Sequence, residues 1–291
     1  DKDTLKEYRR IVGGGWDVIA RQAPATVLDE KEWRRDVTPD GIRVLNELLP
    51  YPLAAKRRAE LPLVQLASPM GNGRAILWLT ETGKDGLFEK NGKAKPQVWR
   101  LLRAGYSVIG VDLIGQGEHV SDEFPAGAKR QRSLPGEEAF GGWTYCYNMP
   151  LLAQRVQDVV TVIHRAGGSA INIIALGEMG PVAAAALTQT HGWVLRAAID
   201  TRGFRFSKVT DIYDPRFLPG AVRYGDLPGA LSLAAPTQLW VAGEGRQLPQ
   251  IMRASYKAAG LDDKLTTYTG SNTEADAVTW ILATRPPEDD E

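Results

Sequence analysis

INIIALGEMGPVAAAAL, residues 171–187, decides the architecture of this chain. Its first half is apolar and β-branched, with Ile171, Ile173 and Ile174, the composition of a strand buried on both faces of a parallel sheet. Gly177-Glu178-Met179-Gly180 breaks that run, and the alanine-rich remainder is a helix former. Strand, tight turn and helix within 17 residues form the repeating unit of an open α/β sheet. Ligands in such sheets sit outside the carboxyl ends of the strands, so the turn at 177–180 is where a site is to be sought.

The flanking sequence repeats the alternation. Residues 74–80, 106–113, 193–199, 236–242 and 265–268 read as strands, and 95–104, 151–165, 248–259 and 273–283 as helices. Ahead of them, residues 26–68 carry strand-like pieces separated by turns, chiefly 41–49 and 61–67, which fit an antiparallel edge. The fold class expected is α/β, a mostly parallel doubly wound sheet with an antiparallel N-terminal edge. Residues 1–24 read as a lead-in helix or linker outside the core, because Gly13-Gly14-Gly15 interrupts the stripe of Leu5, Tyr8, Ile11 and Val12. The domain proper is expected over 25–285, with excursions at 119–150 and 202–235 over the sheet's C-terminal edge and a frayed tail at 286–291.

Composition narrows the partners. The 35 basic and 35 acidic residues cancel, so no net field draws nucleic acid or a membrane surface. No apolar run approaches the roughly 20 residues of a membrane span. Cys146 is the single cysteine, which excludes an internal disulfide framework. No metal-ligand spacing or phosphate-binding loop occurs, and no cofactor is called for. The chain opens on DKDTLKEY without a methionine, which suggests a processed protein or one module of a longer chain.

Two blocks, LLRAGYSVIGVDLIGQGE (residues 101–118) and INIIALGEMGP, resemble the strand-4 and nucleophile-elbow blocks of α/β-hydrolases. Within that superfamily they are most similar to acetyl-xylan-esterase-like carbohydrate esterases, over roughly residues 41–284. The Asp112, Gly115 and Gly117 pattern is similar to the family's turn after its fourth strand. The resemblance implies a secreted or periplasmic protein with a carbohydrate ligand. It also implies a G-x-S-x-G serine, which falls at Glu178, with Leu176 in the place of the first glycine. The family's acid falls in Gly243-Glu244-Gly245-Arg246 and its histidine in Thr269-Gly270-Ser271-Asn272-Thr273, where there is none. His119, His164 and His191 lie elsewhere. A serine needs a positioned base, and the base a carboxylate, so three absences together argue against a Ser-His-Asp enzyme.

Two readings therefore stand. One is a catalytically degenerate domain kept for structure, docking or carbohydrate binding, beside an active hydrolase domain of a longer chain. The other is an active ester hydrolase with Glu178 as nucleophile or base, stabilised by the helix N-terminus, with the 83–86 loop and the Met179 N–H facing an oxyanion. Gly83, Lys84, Asp112, Met179, Asp200 and Glu244, with Glu81, are the candidate pocket rim, since all lie just past predicted strand ends or on the elbow. The carboxylates either form an acidic pocket or pair with Lys84, Arg202 or Arg246. Lys84 either pairs with Glu178 or holds a ligand anion. Trp143, Tyr145 and Tyr147 either stack on a sugar face or form a small satellite core.

Overall fold

The structure is a computed structural model that describes residues 2–20, 31–52, 58–68, 70–120, 149–166, 171–190 and 192–283. The expectations for Trp143, Tyr145, Cys146, Tyr147, His191 and the 286–291 tail lie outside these residues.

Among the described residues, nine strands form one sheet in the order β1-β2-β3-β5-β4-β6-β7-β8-β9. The antiparallel edge is β1 (Lys31–Val37), β2 (Arg43–Pro52) and β3 (Arg58–Ala67), which pairs antiparallel with β5 (Ser107–Val111). From there β4 (Ala75–Leu79), β6 (Ile171–Ala175), β7 (Val194–Asp200), β8 (Gln238–Ala242) and β9 (Leu265–Tyr268) run parallel. The order reverses between β5 and β4, the topology expected of crossovers that place helices on both faces.

Period-two alternation assigns each strand residue to one of two cores. Leu77, Ile109, Ile173, Ala197 and Leu239 face one side, while Ile76, Trp78, Val108, Ile174 and Trp240 face the other. The second core is covered by α3 (Pro96–Arg103) and α8 (Thr273–Ala283), through Val98, Leu101, Val278 and Ile281. The first is covered by α4 (Leu151–Arg165), α5 (Met179–Leu187), α6 (Asp226–Ser232) and α7 (Gln250–Ala259). Helix α6 and the short turns Phe206–Lys208 and Ala221–Tyr224 organise the second excursion, which sequence periodicity left unstructured. Their lengths of three to seven residues are too short to show a helical stripe.

The N-terminal segment corrects the expectation of a lead-in outside the core. Helices α1 (Lys2–Tyr8) and α2 (Gly14–Ala20) are joined by a π-helical turn, Arg9–Gly13, and bury Trp16 completely. The Trp16 indole donates to the Tyr224 carbonyl at 3.2 Å, and Tyr8 bonds Ser232 at 2.7 Å. Gly15 is what permits this, because a Cβ there would collide with the Tyr224 ring. Gly15 thus permits close helix packing at the expense of helix propensity.

Two polar ties fasten α4 to β2. Arg165 pairs with Glu47, and the Tyr51 hydroxyl donates to Asp158 Oδ1 at 2.5 Å. Burial pushes the Asp158 carboxyl up to about 6, against the downward pull of Tyr51, the Ile114 N–H and Arg155. The folded value lies above the unfolded one of 3.8, so folding favours the neutral form. That stabilisation is complete below the unfolded value and is lost as pH rises through the folded one. In urea titrations the parent chain should lose on the order of 2–3 kcal/mol more than Asp158→Asn between about pH 4 and pH 7.5. Equal losses in the two proteins would refute this assignment.

Candidate active site

The residues singled out around the elbow gather at the carboxyl ends of β4 to β8. Strand β6 ends at Ala175 and α5 begins at Met179. The residue of the turn with a left-handed backbone is Gly177, at φ 64°. Glu178, which the G-x-S-x-G comparison put in the serine's place, follows with an ordinary right-handed φ of −65° and an exposed side chain. Gly180 lets α5 lie against the end of β7, since a Cβ there would overlap the Asp200 carbonyl. Met179, placed on the pocket rim from sequence, is buried, and its N–H goes to the Leu176 carbonyl at 3.4 Å.

The space above Gly177 is occupied. A Cβ on Gly177 would lie 2.5 Å from Glu81 Oε1 and 2.6 Å from Arg202 Nη2. These two side chains pair at 3.3 Å, and Glu81 Oε1 also accepts the Glu178 N–H at 3.2 Å. Glu81 comes from the loop after β4, and Arg202 from the turn after β7, with its own left-handed backbone at φ 47°. Asp200 stabilises that turn by accepting the Arg202 N–H at 2.9 Å.

Lys84 does not reach Glu178 as one sequence reading had it. Its ammonium lies 2.5 Å from both Asp112 and Glu118. Asp112 is wholly buried and also accepts the N–H groups of Lys84 (2.8 Å) and Glu118 (3.0 Å). Burial pulls the Lys84 ammonium's pKa down, but its bonds to the two carboxylates outweigh that and leave it raised. Gly83 and Gly117 wall this carboxylate in, both at positive φ, and a Cβ on either would strike it. This is the physical content of the D-x-x-G-x-G pattern: a carboxylate sewn between the loops after β4 and β5. The Lys84 N–H, expected to face an oxyanion, is spent on Asp112.

Gln116, which sequence reasoning passed over, joins the same loops to the elbow. Its side-chain amide donates to the Thr80 and Glu81 carbonyls, both at 3.1 Å, and contacts Met179 Sδ at 3.5 Å. Arg155 and Arg216 were passed over too, and both feel the Glu178 charge. Arg216 is held by Asp214 at 2.8 Å and lies over the Phe204 ring. No periodic signal marks a loop glutamine or a helix arginine as part of a site.

No protein-family model matches the chain by sequence, and no curated protein does either. Solved structures match it closely in three dimensions. A Bacteroides fragilis protein assigned as an acetyl xylan esterase superimposes with TM-score 0.66 at 13% identity, over 93% of this chain and 76% of that one. The methylesterase BT1017 gives 0.59 at 14%, over 97% and 62%. A promiscuous CE15 esterase from a marine bacterial metagenome gives 0.59 at 9%, over 96% and 91%. The chain has an α/β-hydrolase fold. At these identities the likeness concerns the fold and not the chemistry.

Glu244 does follow β8, but it is buried and committed elsewhere: Arg205 grips both its oxygens, at 2.9 and 2.5 Å, and the Thr201 hydroxyl donates at 2.6 Å. Arg246 takes no part in that pair. The loop before α8 is closed on itself by the Tyr268 hydroxyl, which bonds the Asp276 carboxylate and accepts the Asn272 N–H at 3.0 Å. Asp112, Glu81 and Glu244 are thus each paired with a cation, and Asp200 caps a turn, instead of lining an open acidic pocket.

Proposed function

We propose that this chain is a catalytically degenerate α/β-hydrolase domain of the acetyl-xylan-esterase-like kind, kept for docking or carbohydrate binding beside a hydrolase domain of a longer chain. The observation that carries the reading is the elbow. A nucleophile elbow holds its nucleophile on the strained residue between strand and helix. That residue here is Gly177, which has no side chain. The Glu81–Arg202 pair fills the volume a nucleophile would enter, and the Glu81 carboxylate takes the N–H that follows the elbow residue, one of the two donors of an oxyanion hole.

Glu178 is a poor replacement nucleophile on the same grounds. It points to solvent from a relaxed helical turn, and no histidine stands in the loop before α8 to hydrolyse an ester intermediate. Neither this protein nor Glu178→Gln should hydrolyse short-chain acyl esters or acetylated xylan. Their stabilities should agree within about 0.5 kcal/mol, as for an exposed side chain with no bonded partner among the described residues. Turnover in the parent that disappears in Glu178→Gln would overturn the reading and make this an esterase with an unusual carboxylate. Saturable binding of xylan fragments without turnover would support the carbohydrate-binding role.

A further inference from the structure

Asp158 is a buried ionisable group that the elbow chemistry does not use. It sits on α4, 2% exposed, with Tyr51 of β2 on Oδ1 and the Ile114 N–H on Oδ2 at 3.0 Å. Arg155, one turn earlier on α4, donates from Nε to the Ile114 carbonyl at 3.0 Å. One residue of the loop after β5 is therefore held at both of its backbone polar groups by one helix. Two residues on, Gln116 grips the Glu81 carbonyl and Met179, and Glu81 in turn holds the Glu178 N–H. An unbroken series of hydrogen bonds and short chain segments runs from Asp158 to the elbow.

We propose that Asp158 is a proton-sensitive clamp: ionised, it fixes the 113–117 loop and, through Gln116, keeps Glu81 seated on the elbow, and protonation loosens that local hold while Asp158 itself stays buried. The fold as a whole nonetheless gains stability from the neutral form. The charge decides the strength. A hydrogen bond to a carboxylate is roughly twice as strong as one to a neutral acceptor, and the attraction of Arg155 is lost on neutralisation. Burial already raises the Asp158 carboxyl to about 6, which puts the change in the mildly acidic range. The groups that face it are Tyr51 from β2, the Ile114 amide from the loop and Arg155 from its own helix, which in turn feels Glu178. The Glu47–Arg165 pair joins the same strand and helix two turns further along. His119 follows on the loop after β5, its imidazole pKa lowered by burial, and is the rival titrating group. The clamp concerns the hold on Glu81 and does not depend on whether the elbow is inactive.

Amide NMR of the full chain between about pH 4.5 and pH 8 tests it. The Ile114 and Glu178 amides should shift together with one midpoint, and both shifts should vanish in Asp158→Asn. Gln116→Leu should leave the Ile114 titration in place and remove it from Glu178. Tyr51→Phe retains the carboxylate but removes a bond to its charged form, so both midpoints should rise together. This variant decides the matter if Asp158→Asn does not fold. A Glu178 titration that is missing in the parent, survives Asp158→Asn, or disappears in His119→Gln overturns the proposal. So does an unmoved midpoint in Tyr51→Phe.

Discussion

Asp112→Ala should be less stable than the parent chain by about 3–5 kcal/mol, the usual effect of removing one partner from a buried ion pair. At about 2–4 °C per kcal/mol that is a fall in Tm of roughly 6–20 °C, measurable by calorimetry. The cause is local and countable. The substitution leaves the Lys84 and Glu118 N–H groups without their acceptor and Lys84 with Glu118 alone. It also opens a void between Gly83 and Gly117, whose missing side chains exist to make room for the carboxylate. Asp112→Asn retains an acceptor oxygen and should fall in between. A loss below about 1 kcal/mol for Asp112→Ala would mean that the two loops hold their shape without the carboxylate.

Trp16→Ala should be nearly as damaging, at about 3–5 kcal/mol for truncating a fully buried tryptophan. Trp16 packs near Phe206, with ring centres 6.0 Å apart, and its N–H ties α2 to the Tyr224 turn. Urea unfolding followed by tryptophan-independent circular dichroism reads the loss directly. If residues 2–20 were a linker, the same substitution would stay within about 0.5 kcal/mol. The experiment therefore separates a helix pair that belongs to the domain from one that leads into it.

What was readable in the sequence, and what was not, follows from the range of the forces involved. Local signals placed the elements well. Short apolar runs marked the buried strands from β4 to β8, and an amphipathic stripe marked α4 over residues 151–165, the bounds that the structure shows. The Asp112, Gly115 and Gly117 pattern located the loop after β5, because the glycines are needed there for backbone conformation and for room. Trp16 escaped because three glycines in a row lower helix propensity, and propensity says nothing of the Tyr224 ring that needs the Gly15 surface.

The chemistry of the elbow was legible only in part. The sequence alone determines that no serine stands in the elbow turn and no histidine in the loop before α8, since those are statements about which residues are present. It also offers Gly177 as the residue best able to take a left-handed backbone, a signal that the G-x-S-x-G comparison overrode by assigning the serine's place to Glu178. Partner choice among carboxylates and cations is different. Glu81 meets Arg202 across 121 positions of chain, Glu244 meets Arg205, and Lys84 turns to Asp112 and Glu118 and not to Glu178. Charge pairing is decided by a few ångströms at the sheet's edge, and those distances are set by strand order, register and glycine-tight packing. Residue types fixed which groups exist; the tertiary structure decided which of them meet.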